Sequence, residues 1–353
     1  MKKLRIALVN ITKPHSGSGD GITEYTWQLY KKLQTKAQVD LIYSLESTKR
    51  NNIRGLVKTN IFFNIKIKKL ASEGYDIIHI TNHELGFAAK TLRMCGCSSK
   101  IVTTIHDLAR FDMVYHKGQL QKAYNRMVAS SIKDAIEYSD YLMFDGKQTY
   151  EDVVNKFGNI KKGYSIVNLG VKDSILNVRV KKHLSKFTIG YVGALVPHKN
   201  VMMLLKAAKE LPEYTFLIYG TGIERENLKD YKMNNHLDNV EFLGFAPETK
   251  LPEIYDSFNL FAFPSRYEGF GLPILEAQAR GIPVVIYKKG KITEEVKKYC
   301  FKASNEKDMV DIIKKQAMNK QTYPRTKMLR YARSFTWDRT ARHTFDAYKK
   351  MIE

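Results

Sequence analysis

The chain has 353 residues, 44% of them hydrophobic, and its 58 Lys and Arg outnumber 36 Asp and Glu to give a net charge of +22. That length allows two domains with a sizeable core in each. No apolar run nears the roughly 20 residues that span a bilayer, and the three cysteines, Cys95, Cys97 and Cys300, exclude a disulfide framework.

The charge favours polyanionic partners: nucleic acid, an anionic membrane surface or phosphorylated substrates. A solvated Lys-rich surface explains it equally well. Cys95-Gly96-Cys97 has no His or Cys nearby to complete a metal site and reads as unpaired thiols in a reducing cytoplasm. Basic residues precede the apolar run Leu4 to Val9, as in a signal peptide. The run is short, and Lys13 and Pro14 follow without a cleavage site, so the reading is a first strand.

That strand, Leu4 to Asn10, leads into the loop Pro14 to Gly21 and a helix marked by Ile22, Tyr25, Leu29 and Leu33. The glycine-rich loop is not GxGxxG. A flexible turn and a phosphate- or sugar-approaching loop both fit it. Val39 to Ser44 is a second strand. Asn60 to Leu70 mixes apolar, aromatic and basic residues; it fits a partly buried helix with a lysine face or a segment lying on a membrane. Strands follow at Asp76 to Ile80 and Ile101 to Ile105, the latter ending in His106 and Asp107. A helix spans Gln119 to Tyr138, with strands at Tyr141 to Phe144 and Tyr164 to Val167.

Between Val171 and Lys186 the pattern breaks into a linker, and the alternation then restarts. Strands are expected at Phe187 to Val192, Thr215 to Tyr219, Val240 to Gly244, Asn259 to Pro264 and Val284 to Tyr287. Helices are expected up to Leu211, after Gly222, at Leu251 to Tyr255, Asp308 to Met318 and across Arg325 to Ile352. Alternating strands and helices imply parallel sheets with right-handed crossovers. Two such domains are expected to bind ligand at the C-terminal edges of their strands.

The most informative stretch is Ser265-Arg266-Tyr267-Glu268-Gly269-Phe270-Gly271-Leu272-Pro273-Ile274-Leu275-Glu276. It joins a strand to a helix that starts near Leu272 and ends at Gly281. Pro273 suits the first turn and Gly281 the C-terminal cap. The helix N-terminus aims backbone N–H groups and a positive dipole end at one spot, which favours an anion. Glu268 and Glu276 have no evident structural reason to be there.

These residues resemble the E-x7-E motif of glycosyltransferase family 4, retaining enzymes of the GT-B fold. Tyr191 to Asn200 resembles that family's donor-diphosphate loop, and Asn239 to Phe245 its nucleobase segment. Gly281-Ile282-Pro283-Val284-Val285 and Phe335-Thr336-Trp337 follow in the family's order. The N-terminal half is similar more loosely, through Asp20-Gly21 and Ile105-His106-Asp107.

The resemblance implies two Rossmann-like domains, residues 1–172 and 173–335, with helices over 336–353 packing back on the first. It implies metal-independent transfer of a hexose, with retention, from a nucleotide-sugar to a glycan or lipid-linked acceptor. The Pro197-His198-Lys199-Asn200 loop favours GDP-mannose over a UDP-hexose. Catalytic roles are expected for His106, Glu268 and Lys199. Donor binding is expected at Gly21, Gly193, Lys199, Phe245, Glu268, Gly269, Phe270, Gly271, Leu272 and Glu276. Lys199 would meet the diphosphate, Glu276 the ribose hydroxyls, and Glu268 and His106 the sugar. Ala194 stands where the family often has Arg, and Asp20 where it commonly has Gly.

No cofactor is expected. A cytoplasmic protein, peripheral on the inner face of an anionic membrane, would make use of the charge. The alternatives are a sugar-nucleotide epimerase or phosphorylase of the same fold, or a basic nucleic-acid-binding protein. No nucleic-acid module stands out for the last, and no nucleic-acid partner is expected.

Overall fold

The computed structural model describes residues 3–13, 21–45, 63–108, 111, 119–177, 186–320 and 322–353. The chain forms two compact units. One comprises Met1–Leu169 and Trp337–Glu353, the other Gly170–Thr336.

The N-terminal unit alternates β1 (Arg5–Thr12), α1 (Gly21–Leu33), β2 (Gln38–Leu45), a helix over residues 63–70 (α2) and β3 (Ile77–Ile80). It continues through α3 (Phe87–Met94), β4 (Lys100–Ile105), α4 (Gln119–Tyr138), β5 (Tyr141–Phe144), α5 (Lys147–Phe157) and β6 (Gly163–Ile166). The strands are parallel, in the order β2-β1-β3-β4-β5-β6. Near-continuous burial of Ile6 to Asn10 and Ile77 to Ile80 is what a sheet covered on both faces requires.

In α2, Phe63, Ile67 and Leu70 recur at helical spacing and join the core with Ala7, Val9, Ile78 and Ile80. Lys66, Lys68 and Lys69 face outward. The partly buried helix with a lysine face is therefore the observed form of this segment; Asn60 to Phe62 lie outside the described residues.

The last helix of the chain also belongs to this unit. It buries Trp337, Thr340, Ala341, Thr344, Ala347 and Tyr348, one stripe of an amphipathic helix. Lys32 bonds Asp338 at 2.7 Å, and the Thr340 hydroxyl donates to the Asn168 carbonyl at 2.8 Å.

The second unit begins with a short helix, α6 (Asp173–Leu176), inside the stretch read as a linker; residues 178–185 lie outside the described set. Then come β7 (Thr188–Val192), α7 (Val201–Lys209), β8 (Thr215–Tyr219), α8 (Arg225–Asn234), β9 (Val240–Gly244), α9 (Leu251–Asp256) and β10 (Leu260–Phe263). It closes with α10 (Leu272–Ala279), β11 (Val284–Tyr287), α11 (Glu294–Lys297), β12 (Phe301–Ala303), α12 (Glu306–Ala317) and α13 (Arg325–Ala332). The helix Trp337–Ile352 of the first unit is then α14.

The second sheet is also parallel, in the order β12-β11-β10-β7-β8-β9. Buried aromatic rings from β7, α9 and β10 pack together: Tyr191 on Phe263 (6.2 Å between centroids), Phe261 on Phe263 (5.8 Å) and Tyr255 on Phe261 (5.5 Å). Gly190 leaves room for this layer, since a Cβ there would meet the Phe258 ring at 2.2 Å.

Candidate active site

In the second sheet the strand order reverses between β7 and β10. Ligand crevices of open parallel sheets lie at such a reversal, beyond the carboxyl ends of the strands. The two loops leaving these strands, 193–200 and 264–271, hold most of the residues singled out from the sequence.

The loops are stitched together. Arg266 N donates to the His198 carbonyl at 2.8 Å, and Asn200 Nδ2 to the Pro264 carbonyl at 3.2 Å. Asn200 sits at φ 55°, a left-handed conformation that asparagine tolerates better than most residues. It ends the single turn Pro197–Lys199 and starts α7.

That turn places Lys199 Nζ at 2.6 and 2.7 Å from the two carboxylate oxygens of Glu268. Both side chains are largely buried, and Nζ also lies 5.4 Å from the centre of the Phe263 ring. A charge-assisted contact to both oxygens fixes the two loops against each other. The Glu268 amide donates to the Lys291 carbonyl at 2.9 Å.

Beyond Glu268 the backbone passes Gly269 and Phe270 to Gly271, whose φ of 95° is a conformation that glycine adopts without strain. Phe270 is buried, 6.2 Å from the Phe335 ring. Leu272 and Pro273 open α10, and no side chain caps its N-terminus. An uncapped helix start presents unpaired donors and positive potential.

Glu276 is buried on α10, and Tyr255 donates its hydroxyl to Glu276 Oε2 at 2.7 Å. Burial, and then the Glu276 charge, push the Tyr255 pKa far up, so the phenol keeps its proton. Four residues on, the Arg280 guanidinium forms a two-pronged ion pair with Asp256. It also donates to the carbonyls of Ile175 (3.0 Å) and Asn177 (2.7 Å). Breaking such a buried pair costs about 3–5 kcal/mol.

Gly193 is placed by backbone pairing. Its amide donates to the Tyr219 carbonyl at 3.0 Å, and Leu195 N donates to the Thr221 carbonyl at 2.8 Å. Tyr191 donates to the Ala194 carbonyl at 2.9 Å. A Cβ on Gly193 would lie 2.7 Å from the Tyr191 hydroxyl. Gly220 N reaches the Gly244 carbonyl, so the rim runs on to β9. Phe245 follows there with 58% of its surface exposed. It is available for stacking and is not core.

In the N-terminal unit Gly21 is the exposed first residue of α1; the loop before it, Asp20 included, lies outside the described residues. His106 follows β4 and is buried. Its Nδ1 lies 2.7 Å from Asp145 Oδ2 and its Nε2 2.8 Å from the Thr81 carbonyl. Both ring nitrogens therefore face acceptors. Burial pulls the His106 pKa down, but the Asp145 carboxylate, the bond to the Thr81 carbonyl and the Asp107 charge together outweigh it and the net shift is upward. Burial raises Asp145 as well, against the pull of His106.

The second unit thus brings together Gly193, Lys199, Glu268, Gly269, Phe270, Gly271, Leu272 and Glu276 on two joined loops and one helix. The sequence singles out neither Tyr255 nor Asp145, nor Gly220 and Gly222 as supports of a loop, and it places Tyr191 only within a motif. Only the Gly-x-Gly after β8 left a local signal. Cys95 is exposed and Cys97 buried, both as free thiols. Among the described residues no group of three or more His, Cys, Asp and Glu side chains is arranged to hold a metal ion.

Residues 176–335 match the family described as glycosyl transferases group 1. An O-antigen chain mannosyltransferase B of Escherichia coli is 31% identical over 170 residues, 45% of this chain and 45% of that enzyme. A UDP-Gal:alpha-D-GlcNAc-diphosphoundecaprenol alpha-1,3-galactosyltransferase of the same organism is 26% identical over 240 residues, 62% of this chain and 59% of that one. The chain therefore spans about half the length of these relatives. Among solved structures, a sucrose-phosphate synthase from Thermosynechococcus elongatus superposes with a TM-score of 0.81 at 20% identity, covering 99% of both chains. The architecture is the GT-B fold, and the group 1 match together with the named relatives supports a glycosyltransferase.

Proposed function

We propose that the chain is a retaining, metal-independent glycosyltransferase that moves a hexose from a nucleotide-sugar to a glycan or lipid-linked acceptor. One observation carries the reading: Lys199 and Glu268 pair across two loops at the strand-order reversal, the second loop leads into an uncapped helix start, and Glu276 lies one turn into that helix.

Transfer breaks the bond between the anomeric carbon and the diphosphate. Negative charge builds on the leaving oxygens and positive charge on the sugar ring. Lys199 and the amides from Gly269 to Leu272 are preorganised donors for the first. Glu268 faces the second and orients the sugar. The acceptor oxygen forms its new bond from the face the diphosphate leaves, and its proton passes to a diphosphate oxygen. No enzymatic nucleophile enters the step. Glu276 accepts from the ribose hydroxyls, and Phe245 stacks on the base.

Without ligand, Lys199 and Glu268 neutralise each other. A diphosphate competes for Lys199 and frees Glu268 toward the sugar hydroxyls. Gly21 allows close backbone approach to the donor. His106 contributes a sugar contact if the Thr81 carbonyl gives up its bond to Nε2.

The loop around Lys199 and the mannosyltransferase relative favour GDP-mannose. The galactosyltransferase relative keeps a UDP-hexose in play, and its lipid diphosphate acceptor supports the lipid-linked class. A basic protein working on such an acceptor would sit on the inner, cytoplasmic face of an anionic membrane.

The test is slow hydrolysis of a nucleotide-sugar panel by the wild type, Lys199→Ala and Glu276→Ala, with folding followed by circular dichroism. We expect GDP-mannose turnover in the wild type and a loss of about 10²–10³-fold in each variant. Near-normal turnover by both folded variants would sink the site assignment. Turnover of UDP-hexoses alone would overturn the mannose reading.

A further inference from the structure

We propose that Tyr255 is a positioning residue, which fixes the Glu276 carboxylate for recognition of the nucleotide's ribose diol. The inference rests on the assignment of Glu276 to the ribose.

Every residue from Ile274 to Arg280 is buried. A carboxylate in such a run needs donors to remain charged. Tyr255 is wholly buried and stays protonated, so its hydroxyl serves as a fixed donor to Oε2. That bond anchors one carboxylate oxygen, and so constrains the direction of the second. A carboxylate accepts through both oxygens and a vicinal diol offers two donors, so the direction decides whether both can be met.

The supporting helix is itself fixed. Residue 255 of α9 bonds residue 276 of α10, and residue 256 pairs with residue 280, one turn further along. Two consecutive residues of α9 thus hold Glu276 within α10 and, four residues on, the residue that caps it, Arg280. The Asp256–Arg280 pair locks the helices, and Tyr255 sets the carboxylate. The Tyr255 ring is held in turn by Phe261 (5.5 Å) and Phe258 (6.2 Å). Tyr255→Phe therefore removes one oxygen and keeps this packing.

The experiment measures binding of GDP and UDP, and of their 2′,3′-dideoxy forms, by calorimetry to wild type, Tyr255→Phe and Glu276→Ala. In the wild type the ribose form should bind about tenfold tighter than the dideoxy form. Tyr255→Phe should lose most of that preference while binding the dideoxy form within twofold of wild type, which also shows the variant folded. Equal weakening of both forms, or an unchanged preference, overturns the role of Tyr255. A wild type without ribose preference, or Glu276→Ala that keeps it, overturns the Glu276 assignment instead.

Discussion

His79, on β3, is buried between two hydroxyls: Nδ1 lies 2.5 Å from Tyr348 and Nε2 2.7 Å from Thr104. Hydroxyls suit a neutral imidazole, since each can donate or accept. Burial, and then the charge on His106, lower its pKa to about 3. The unfolded value is about 6.5. Between these values the unfolded chain binds one more proton, so this group's share of stability is present above pH 6.5 and lost as pH falls toward 3. The slope approaches about 1.4 kcal/mol per pH unit in that window. His106 has the opposite sign: its raised pKa stabilises below 6.5 and loses effect as pH rises. Urea midpoints at pH 7, 5.5 and 4 should therefore fall less steeply for His79→Gln than for wild type. Parallel slopes would show that His79 is not held neutral.

The loop between β7 and α7 takes its shape from β8. Gly220 and Gly222 lie against its backbone: a Cβ on Gly220 would stand 1.9 Å from the Gly193 carbonyl oxygen, and one on Gly222 2.2 Å from that of Leu195. Neither glycine is a proposed ligand contact, yet both set the path of the Gly193–Leu195 backbone in the loop that carries Lys199. Gly220→Ala should destabilise the protein by about 1–3 kcal/mol through backbone displacement. It should also raise the donor KM well above the wild-type value, with thermal unfolding and steady-state kinetics as the measurements. An unchanged KM would separate this loop from donor binding. Elements with strong local signals were legible from sequence. β10 and α10 lie within two residues of the expected bounds, since an apolar run leads to Pro273 in a first turn and Gly281 at φ 75° as a stop. β12 escaped because it is three residues long and its middle residue, Lys302, is exposed. α3 escaped because Gly86 precedes it without a side-chain cap. Lys199 and Glu268 were each visible in a motif, but their contact was not. Tyr255 with Glu276, and His106 with Asp145, are set by tertiary packing across 21 and 39 residues, which no periodicity encodes.

At the scale of the whole molecule the +22 charge favours anionic partners. Self-repulsion of that size destabilises a compact chain, and anionic partners relieve it. No helix among the described residues is long and apolar enough to cross a membrane. Attraction to a membrane would therefore act at its surface, through lysines. The outward side of α2 offers one such patch: Lys66, Lys68 and Lys69 surround Ile65, which is 59% exposed. Each basic residue near an anionic leaflet contributes about 1 kcal/mol, and salt screens the effect within a Debye length of about 8–10 Å at 0.1–0.15 M. Vesicles of phosphatidylglycerol and phosphatidylcholine should co-sediment the protein at low salt and release it near 0.5 M, while pure phosphatidylcholine should not hold it. Lys66→Glu combined with Lys69→Glu should weaken binding at least tenfold and leave nucleotide-sugar hydrolysis unchanged. Equal sedimentation with neutral and anionic vesicles would remove the membrane from the proposal. Binding that the double variant keeps would move the contact to another face.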